Sequence, residues 1–239
     1  MKQLSITIVS SAVLVLGLSI RPLSADTIAS WTFENDYQTN SVTGTDLPGL
    51  LPAAGPNGSS AWGHHSSAST SYSDALGNGS VHALTADHWA AGDYFEFQTA
   101  SLGFANLTVS FDQFRSNTGP TNWDFEYSTD GSAFSSVLSY SVTNSPTWTS
   151  STYRPAFTFS VDLTSATVLV NNTAVYFRLV VDSPGAATGA ARVDNFTISG
   201  MPVPEPSLTI PAGVAGLLVL LRRLFGCRRG QLRRMGMTT

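Results

Sequence analysis

The sequence of 239 residues has little charge and almost no cysteine. Charged residues make up 12% of the chain, about half of the ~25% that is usual in soluble domains. This composition excludes a coiled coil, a polybasic nucleic-acid-binding protein and a membrane protein with many spans. The single cysteine excludes a disulfide framework and a cysteine-based zinc site. Aromatic residues are plentiful at 10%, which argues against charge-driven disorder.

The formal net charge of −4 is an average over unlike parts of the chain. Residues 26–202 contain fifteen acidic residues, four arginines and no lysine, so this segment carries −11. Six arginines and no acidic residue follow from Arg222 onward. Such asymmetry usually marks segments that face different environments. A surface at −11 also opposes binding to nucleic acid, because it repels phosphate.

The N-terminus is typical of a secretory signal peptide. Lys2 precedes a mostly apolar run over residues 6–20, Pro22 breaks it, and Ala25 offers a small residue before a cut at Asp26. The alternative is an uncleaved membrane anchor, but the run is shorter than the ~20 residues that span a bilayer comfortably. We therefore expect residues 1–25 to be a signal peptide that signal peptidase removes during export across the inner membrane.

The C-terminus has three consecutive parts. Prolines stiffen the segment 203–206, an uncharged run occupies 208–221, and the arginines follow. As a helix the run spans only ~21 Å, and extension to Phe225 with snorkelling arginines brings it closer to a ~30 Å bilayer core. The pattern predicts a transmembrane helix over 208–225 and an arginine-rich cytoplasmic tail over 222–239. A buried C-terminal helix is the alternative, which the adjacent arginines disfavour.

This order of a Pro-Glu-Pro motif, a short apolar segment and a basic end resembles the PEP-CTERM sorting signal of exported bacterial proteins, here over residues 201–239. The resemblance implies that Val203, Pro204, Glu205 and Pro206 form the sorting motif, recognised by exosortase, a membrane protease or transpeptidase. It also implies transient anchoring in the membrane, then a place at the cell surface or in an exopolysaccharide matrix. The tail is longer than the few residues usual in that family.

The segment 26–200 is predicted to be a single all-β domain, an antiparallel β-sandwich of jelly-roll type. Apolar and polar residues alternate with the period of a strand, and the Asp130-Gly131 pair predicts a hairpin turn. The stretch 39–89 is rich in glycine, proline and serine and is expected to be an irregular arm with one or two short strands. The predicted strands are 28–33, 94–98, 107–111, 123–127, 134–138, 156–161, 175–181 and 192–199.

Parts of the middle of the chain are similar to jelly-roll modules of extracellular bacterial proteins. The similar segments are 111–117, 123–134, 175–179 and 192–196. They look like carbohydrate-binding or laminin-G-type sandwiches. A resemblance at this level implies the fold and leaves the ligand open.

The sequence carries no recognisable catalytic motif, neither a nucleophile elbow nor a zinc-protease, P-loop or dinucleotide-binding signature. Asp124 and Glu126 lie on one face of a strand, roughly 7 Å apart, and a glycosidase needs two such acids in a cleft. They alternate with aromatic residues, so a solvated strand face is the simpler interpretation. We therefore expect a non-enzymatic protein, with a polysaccharide-acting hydrolase as the alternative.

Calcium is the leading metal hypothesis. Glu34 and Asp36 follow the first predicted strand and Asp194 sits on the last, and in jelly rolls these strands are commonly neighbours. Calcium takes six to eight oxygen ligands, many of them carboxylates. The alternative is that the three are turn residues at strand ends.

Binding of an extracellular polysaccharide is the second ligand hypothesis. Sugar sites use aromatic faces together with a few hydrogen-bonding groups. Trp62, Trp89, Trp148 and Tyr153 lie in or near predicted loops, so they are the candidates. The alternative is that these rings seal the ends of the sandwich.

Overall fold

The computed structural model describes residues 24–34 and 42–204, which form thirteen strands and two short 3₁₀ turns. The predicted signal peptide up to residue 23, Asp36, and the chain from Glu205 onward lie outside the described residues. The strands are β1 (Asp26–Trp31), β2 (Val42–Thr43), β3 (Asp46–Leu50), β4 (Ser60–His64), β5 (Ser71–Ala75), β6 (Ala83–Ala86), β7 (Tyr94–Thr99), β8 (Phe104–Arg115), β9 (Asn122–Ser128), β10 (Ser135–Ser141), β11 (Thr158–Asp162), β12 (Val175–Val181) and β13 (Ala191–Pro202).

The strands form two antiparallel sheets that pack face to face, so the predicted β-sandwich is confirmed. The seven-stranded sheet has the order β11-β8-β13-β6-β5-β2, and β1 also pairs with β13. The six-stranded sheet has the order β10-β9-β12-β7-β4-β3. The pairing of β1 with β13, from Asp26 opposite Gly200 to Trp31 opposite Phe196, makes the first and last strands neighbours, as the sequence predicts.

The core between the sheets is aromatic. Phe97 of the six-stranded sheet stacks on Phe196 of the seven-stranded sheet, with ring centroids 3.5 Å apart. Trp31 contacts both rings edge-on. Alternate residues of β12 are buried against this core, which is why the remaining residues of that strand point outward.

The outer face of the seven-stranded sheet is covered by the chain itself. After β10 the connection 142–157 leaves the six-stranded sheet and crosses to β11 in the seven-stranded sheet. There it forms a second apolar cluster of four buried residues. These are Ala83, Phe114, Trp148 and Phe157.

The strand predictions hold for the second half of the domain and fail for part of the first. The predicted strand 156–161 begins later, at Thr158, because Pro155–Phe157 form a 3₁₀ turn. The predicted irregular arm is wrong within 42–86, where the structure has five strands, β2 to β6. In β4 the buried residues are Ala61 and Gly63, which are too small to give a visible hydrophobic period.

None of the helices in the described part of the chain is long and apolar enough to span a bilayer. The predicted transmembrane segment 208–225 lies outside that part.

Candidate functional site

The outer face of the six-stranded sheet carries a group of aromatic and charged side chains. The strand register places Trp62, Glu96, Arg178 and Glu126 in one row across β4, β7, β12 and β9. The next row holds His64 and Tyr94. We call Trp62, His64, Tyr94, Glu96, Phe134 and Arg178 the aromatic face.

Trp62 lines a shallow depression at one side of the aromatic face. The depression has a volume of about 230 Å³ and is also lined by Asp46, His64, Tyr94 and Glu96. A Cβ at Gly49 would lie 3.0 Å from the indole nitrogen of Trp62. Because residue 49 is a glycine, β3 can lie against the edge of the Trp62 indole on the neighbouring strand β4.

His64 lines the same depression as Trp62 and contacts the Tyr94 ring. Its Nδ1 lies 2.5 Å from the Asp46 carboxylate, and this hydrogen bond lowers the pKa of Asp46. The imidazole lies against the Tyr94 ring, with centroids 5.1 Å apart and a 31° tilt. The pair adds a second ring surface with exposed hydrogen-bonding groups beside the indole.

Arg178 fixes the centre of the aromatic face. Its guanidinium carbon lies 3.8 Å from the centroid of the Tyr94 ring and 3.6 Å from that of Phe134. Its Nε donates a hydrogen bond to Glu96 at 2.7 Å, and a terminal nitrogen donates to the Tyr94 hydroxyl oxygen at 3.1 Å. A planar cation between two rings holds both rings in place.

The hairpin between β9 and β10 brings Phe134 over Arg178. Asp130 accepts hydrogen bonds from the backbone N–H groups of Ser132 and Ala133, and these bonds hold the pKa of Asp130 below its usual range. Gly131 has a φ of +71°, as a turn glycine requires, and lies against the Tyr176 ring. The hairpin predicted from Asp130-Gly131 is confirmed.

The acid pair noted in the sequence lies on the same outer face. Burial raises the pKa of Glu126, and the positive charge of Arg178 partly opposes this. Asp124 accepts a hydrogen bond from Ser139 on β10. It also lines a second depression of about 270 Å³, with Asn122, Ser139 and Asp182. Both acids are half-buried side chains on an open sheet.

The four candidate sugar-binding aromatics do not come together. Trp62 belongs to the aromatic face. Trp89 and Trp148 are only 2% and 1% exposed, so neither ring has a free side for a ligand. Tyr153 is exposed and shares a hydrogen bond with Thr158 at the start of β11, in the other sheet. Tyr94 and Arg178 were missed, although both stand at polar or outward positions of strands that the sequence predicts.

The proposed calcium ligands Glu34 and Asp194 both bind protein groups in the loop 77–82. Asp194 is fully buried and accepts hydrogen bonds from Asn78 N and Ser80 Oγ. Burial raises its pKa to about 6. Glu34 accepts from His82 N at 2.8 Å. Within 24–34 and 42–204 no three His, Cys, Asp or Glu side chains are grouped to hold a metal. Asp36 lies outside these ranges, and the calcium site stays a prediction.

His64, the last residue of β4, and His65 after it point to opposite sides of the chain, as an extended backbone requires. His64 is exposed, whereas His65 is fully buried. The His65 ring packs on Trp89 at 4.0 Å between centroids, and its Nδ1 lies 3.4 Å from the Asp93 carboxylate. Burial lowers the pKa of His65 to about 4.

Neither a protein-family model nor a curated protein matches the sequence. Among solved structures, a family 61 carbohydrate-binding module in complex with β-1,4-galactotriose is 13% identical, with a TM-score of 0.38 over 59% of this chain and 88% of that one. The K1 cleaved adhesin domain of Lys-gingipain from Porphyromonas gingivalis is 14% identical, with a TM-score of 0.39 over 73% and 97%.

A third similar structure is the CBM22-1–GH10 part of Clostridium thermocellum xylanase 10B complexed with xylohexaose. It is 13% identical, with a TM-score of 0.44, and the match covers 72% of this chain and 28% of that chain.

Proposed function

We propose that this chain is an exported, non-enzymatic protein that binds a neutral extracellular polysaccharide on the aromatic face. The observation that carries the proposal is the layer of Tyr94, Arg178 and Phe134 next to the exposed side of Trp62. The C–H faces of a sugar ring are apolar and stack on aromatic rings. Its hydroxyl groups need donors and acceptors, which His64, Asp46 and Glu96 supply at the rim.

A neutral polymer fits the charges of this surface. Asp46, Glu96 and Glu126 are acids in or beside the aromatic face, and the single cation, Arg178, is paired with Glu96. Uronates or sulfated sugars would meet repulsion here and from the whole domain at −11. The open sheet also leaves room for a chain that continues past the site in both directions.

Hydrolysis of the polymer is the second candidate function, and one observation favours it. The raised pKa of Glu126 is what a general acid needs. We favour binding because Asp124 and Glu126 are successive outward residues of one strand and do not face each other across a cleft. Release of reducing ends from a bound polysaccharide, abolished by Glu126→Gln, would decide for hydrolysis.

The binding test compares Trp62→Ala with Tyr153→Ala in affinity electrophoresis and calorimetry. The probes are xylan, β-1,4-galactan and agarose as neutral polymers, and alginate as an anionic one. We expect Trp62→Ala to weaken binding to the preferred neutral polymer by about tenfold or more, since truncating a central aromatic anchor typically costs about 2 kcal/mol or more and tenfold is about 1.4 kcal/mol.

The control Tyr153→Ala removes an exposed ring from the other side of the molecule and should leave the affinity unchanged. Unchanged affinity in both variants would contradict a site at Trp62. Tighter binding of alginate than of any neutral polymer would contradict the substrate class.

For localisation, we propose that exosortase sorts the chain through residues 201–239, with Val203, Pro204, Glu205 and Pro206 as its motif. The order of motif, apolar run and arginines supports this. The test is the intact mass of the exported protein. A mass that starts at Asp26 and ends near the Pro-Glu-Pro motif is expected, and a retained arginine tail would refute processing.

A further inference from the structure

Four loops and both ends of the described domain meet at one end of the sandwich, because β9 also ends there, with Ser128 opposite Tyr176 at the start of β12. Val203 N donates to Gly103 O at 2.7 Å, and Gly103 N donates to the side chain of Asn171. Asp26, where β1 begins, is opposite Gly200 of β13. We call the uncharged part of this region the neutral end; it comprises residues 51–59, 99–107, 163–174 and 199–204.

The neutral end lacks charged residues altogether, in a domain that carries fifteen acids. Asp26, Asp130 and Asp162 stand at its margin, and Glu205 follows Pro204 in the sequence. It also holds five of the nine large hydrophobic side chains that are exposed in the described residues. They are Leu51 (85% exposed), Leu102 (53%), Val168 (57%), Val170 (37%) and Val203 (43%).

A shallow apolar depression lies within the same surface. It has a volume of about 190 Å³ and is lined by Thr27, Ile28, Pro56, Ala100, Leu102 and Phe104. The opposite end differs, because Asp87 and His88 follow β6 there, where Ala86 pairs with Ala191 at the start of β13. Contiguous apolar surface on a soluble domain usually marks a contact with a partner or a membrane.

The position of the chain exit indicates which partner. The uncharged run 208–221 begins four residues after Pro204, and four residues reach at most about 14 Å. A bilayer that holds this run would therefore lie next to the neutral end. Anionic lipid repels acidic surfaces, and the four ranges of the neutral end hold no acid.

We propose that, before processing removes the C-terminal segment, the neutral end docks on the surface of the lipid bilayer that holds residues 208–225. The apolar side chains contact the interface, as in other peripheral membrane contacts, and the aromatic face on the side of the sandwich stays open to solvent. The inference rests on the predicted membrane segment and is independent of the proposed sugar binding.

The experiment uses the full chain, with Cys227→Ser, reconstituted into vesicles of phosphatidylcholine and phosphatidylglycerol. An environment-sensitive fluorophore is attached to Leu102→Cys or, as the matched control, to Val81→Cys. Leu102 and Val81 are both 53% exposed. We expect a blue shift and quenching by doxyl-labelled lipid at position 102, and neither at position 81.

Equal quenching at the two positions, or none at position 102, would overturn the proposal. A blue shift at position 102 without lipid quenching would mean that a second copy covers this surface, which also overturns it. The paired change Leu51→Asp with Val168→Asp should abolish both signals at position 102. Persistence of both signals would show that the tether alone holds the label at the membrane.

Discussion

The two outer faces of the sandwich carry similar residues but differ in what covers them. Each has an arginine near aromatic rings: Arg178 beside Tyr94 and Phe134 on the six-stranded sheet, and Arg192 near Phe114 on the seven-stranded sheet. On the seven-stranded sheet the connection 142–157 packs its own Trp148 and Phe157 on Phe114, and all three rings are buried. Among the described residues of the six-stranded sheet, the short hairpin loop 129–134 alone folds over this face, and Trp62, Tyr94 and Phe134 stay partly exposed.

The difference follows from topology. A connection that changes sheets must cross the molecule and can bury what lies beneath it, whereas a hairpin returns beside its own strand. Aromatic residues and arginine therefore stabilise the fold on the outer face of the seven-stranded sheet. On the six-stranded sheet the same residue types are available to bind a ligand.

The largest expected effect is on stability, from Trp148→Ala. Removing the buried indole leaves a cavity in the cluster with Phe114 and Phe157, which typically costs about 3–5 kcal/mol. Trp62→Ala should cost less, about 1 kcal/mol, because Trp62 is only half-buried on the outer face of the sheet. Urea denaturation of both variants gives the comparison.

The folded fraction of Trp148→Ala should bind polysaccharide like the parent protein, which is the reverse of Trp62→Ala. If the two variants lose stability equally, the covered face and the open face do not differ as the structure indicates. If Trp148→Ala loses affinity while folded, the binding site extends beyond the aromatic face.

Strand periodicity carried much of the fold prediction. The alternation in 175–181 gave the bounds of β12, since large apolar residues fill every buried position. The prediction for 42–86 failed because its strands are only two to five residues long, and in β4 the buried residues are alanine and glycine. Sequence patterns report the volume of buried side chains, and small residues leave no pattern.

The candidate site was predictable only in part. Trp62 was predicted as a sugar-binding candidate in a loop, and it stands half-buried on β4. Trp89 and Trp148 have the same local appearance and are buried. The crossing connection and the strand register determine which of these tryptophans are buried, and both depend on long-range pairing. The position of Arg178 between two rings also depends on the hairpin loop that carries Phe134. No local sequence motif therefore predicts it.

The next effect concerns pH, through one buried acid and one buried base. Asp194 has its pKa raised to about 6 from 3.8, so its contribution to stability is present below pH 3.8 and is lost as the pH rises through 6. The shift corresponds to at most roughly 3 kcal/mol of the free energy of unfolding.

His65 has its pKa lowered to about 4 from 6.5, so its contribution to stability is present above pH 6.5 and is lost as the pH falls through 4.

The two groups oppose each other between pH 4 and 6, and we expect the stability of the parent protein to vary little in this window. Asp194→Asn should leave the histidine's effect, so stability falls on acidification. His65→Gln should leave the carboxylate's effect, so stability rises on acidification. Urea denaturation at pH 4, 5, 6 and 7 measures the slopes, and identical slopes in the two variants would contradict both assignments.

The smallest effect compares the two arginines. Arg178→Lys keeps the charge but loses the planar contact with Tyr94 and Phe134 and the geometry of the Glu96 ion pair. We expect a stability loss of about 0.5–1 kcal/mol and an affinity for polysaccharide about two- to fivefold weaker, because the rings are less well held. Arg192→Lys loses a longer contact, 5.3 Å from Phe114 on the covered face. That variant should lose similar or less stability and no affinity, so equal affinities in the two variants would remove Arg178 from the binding surface.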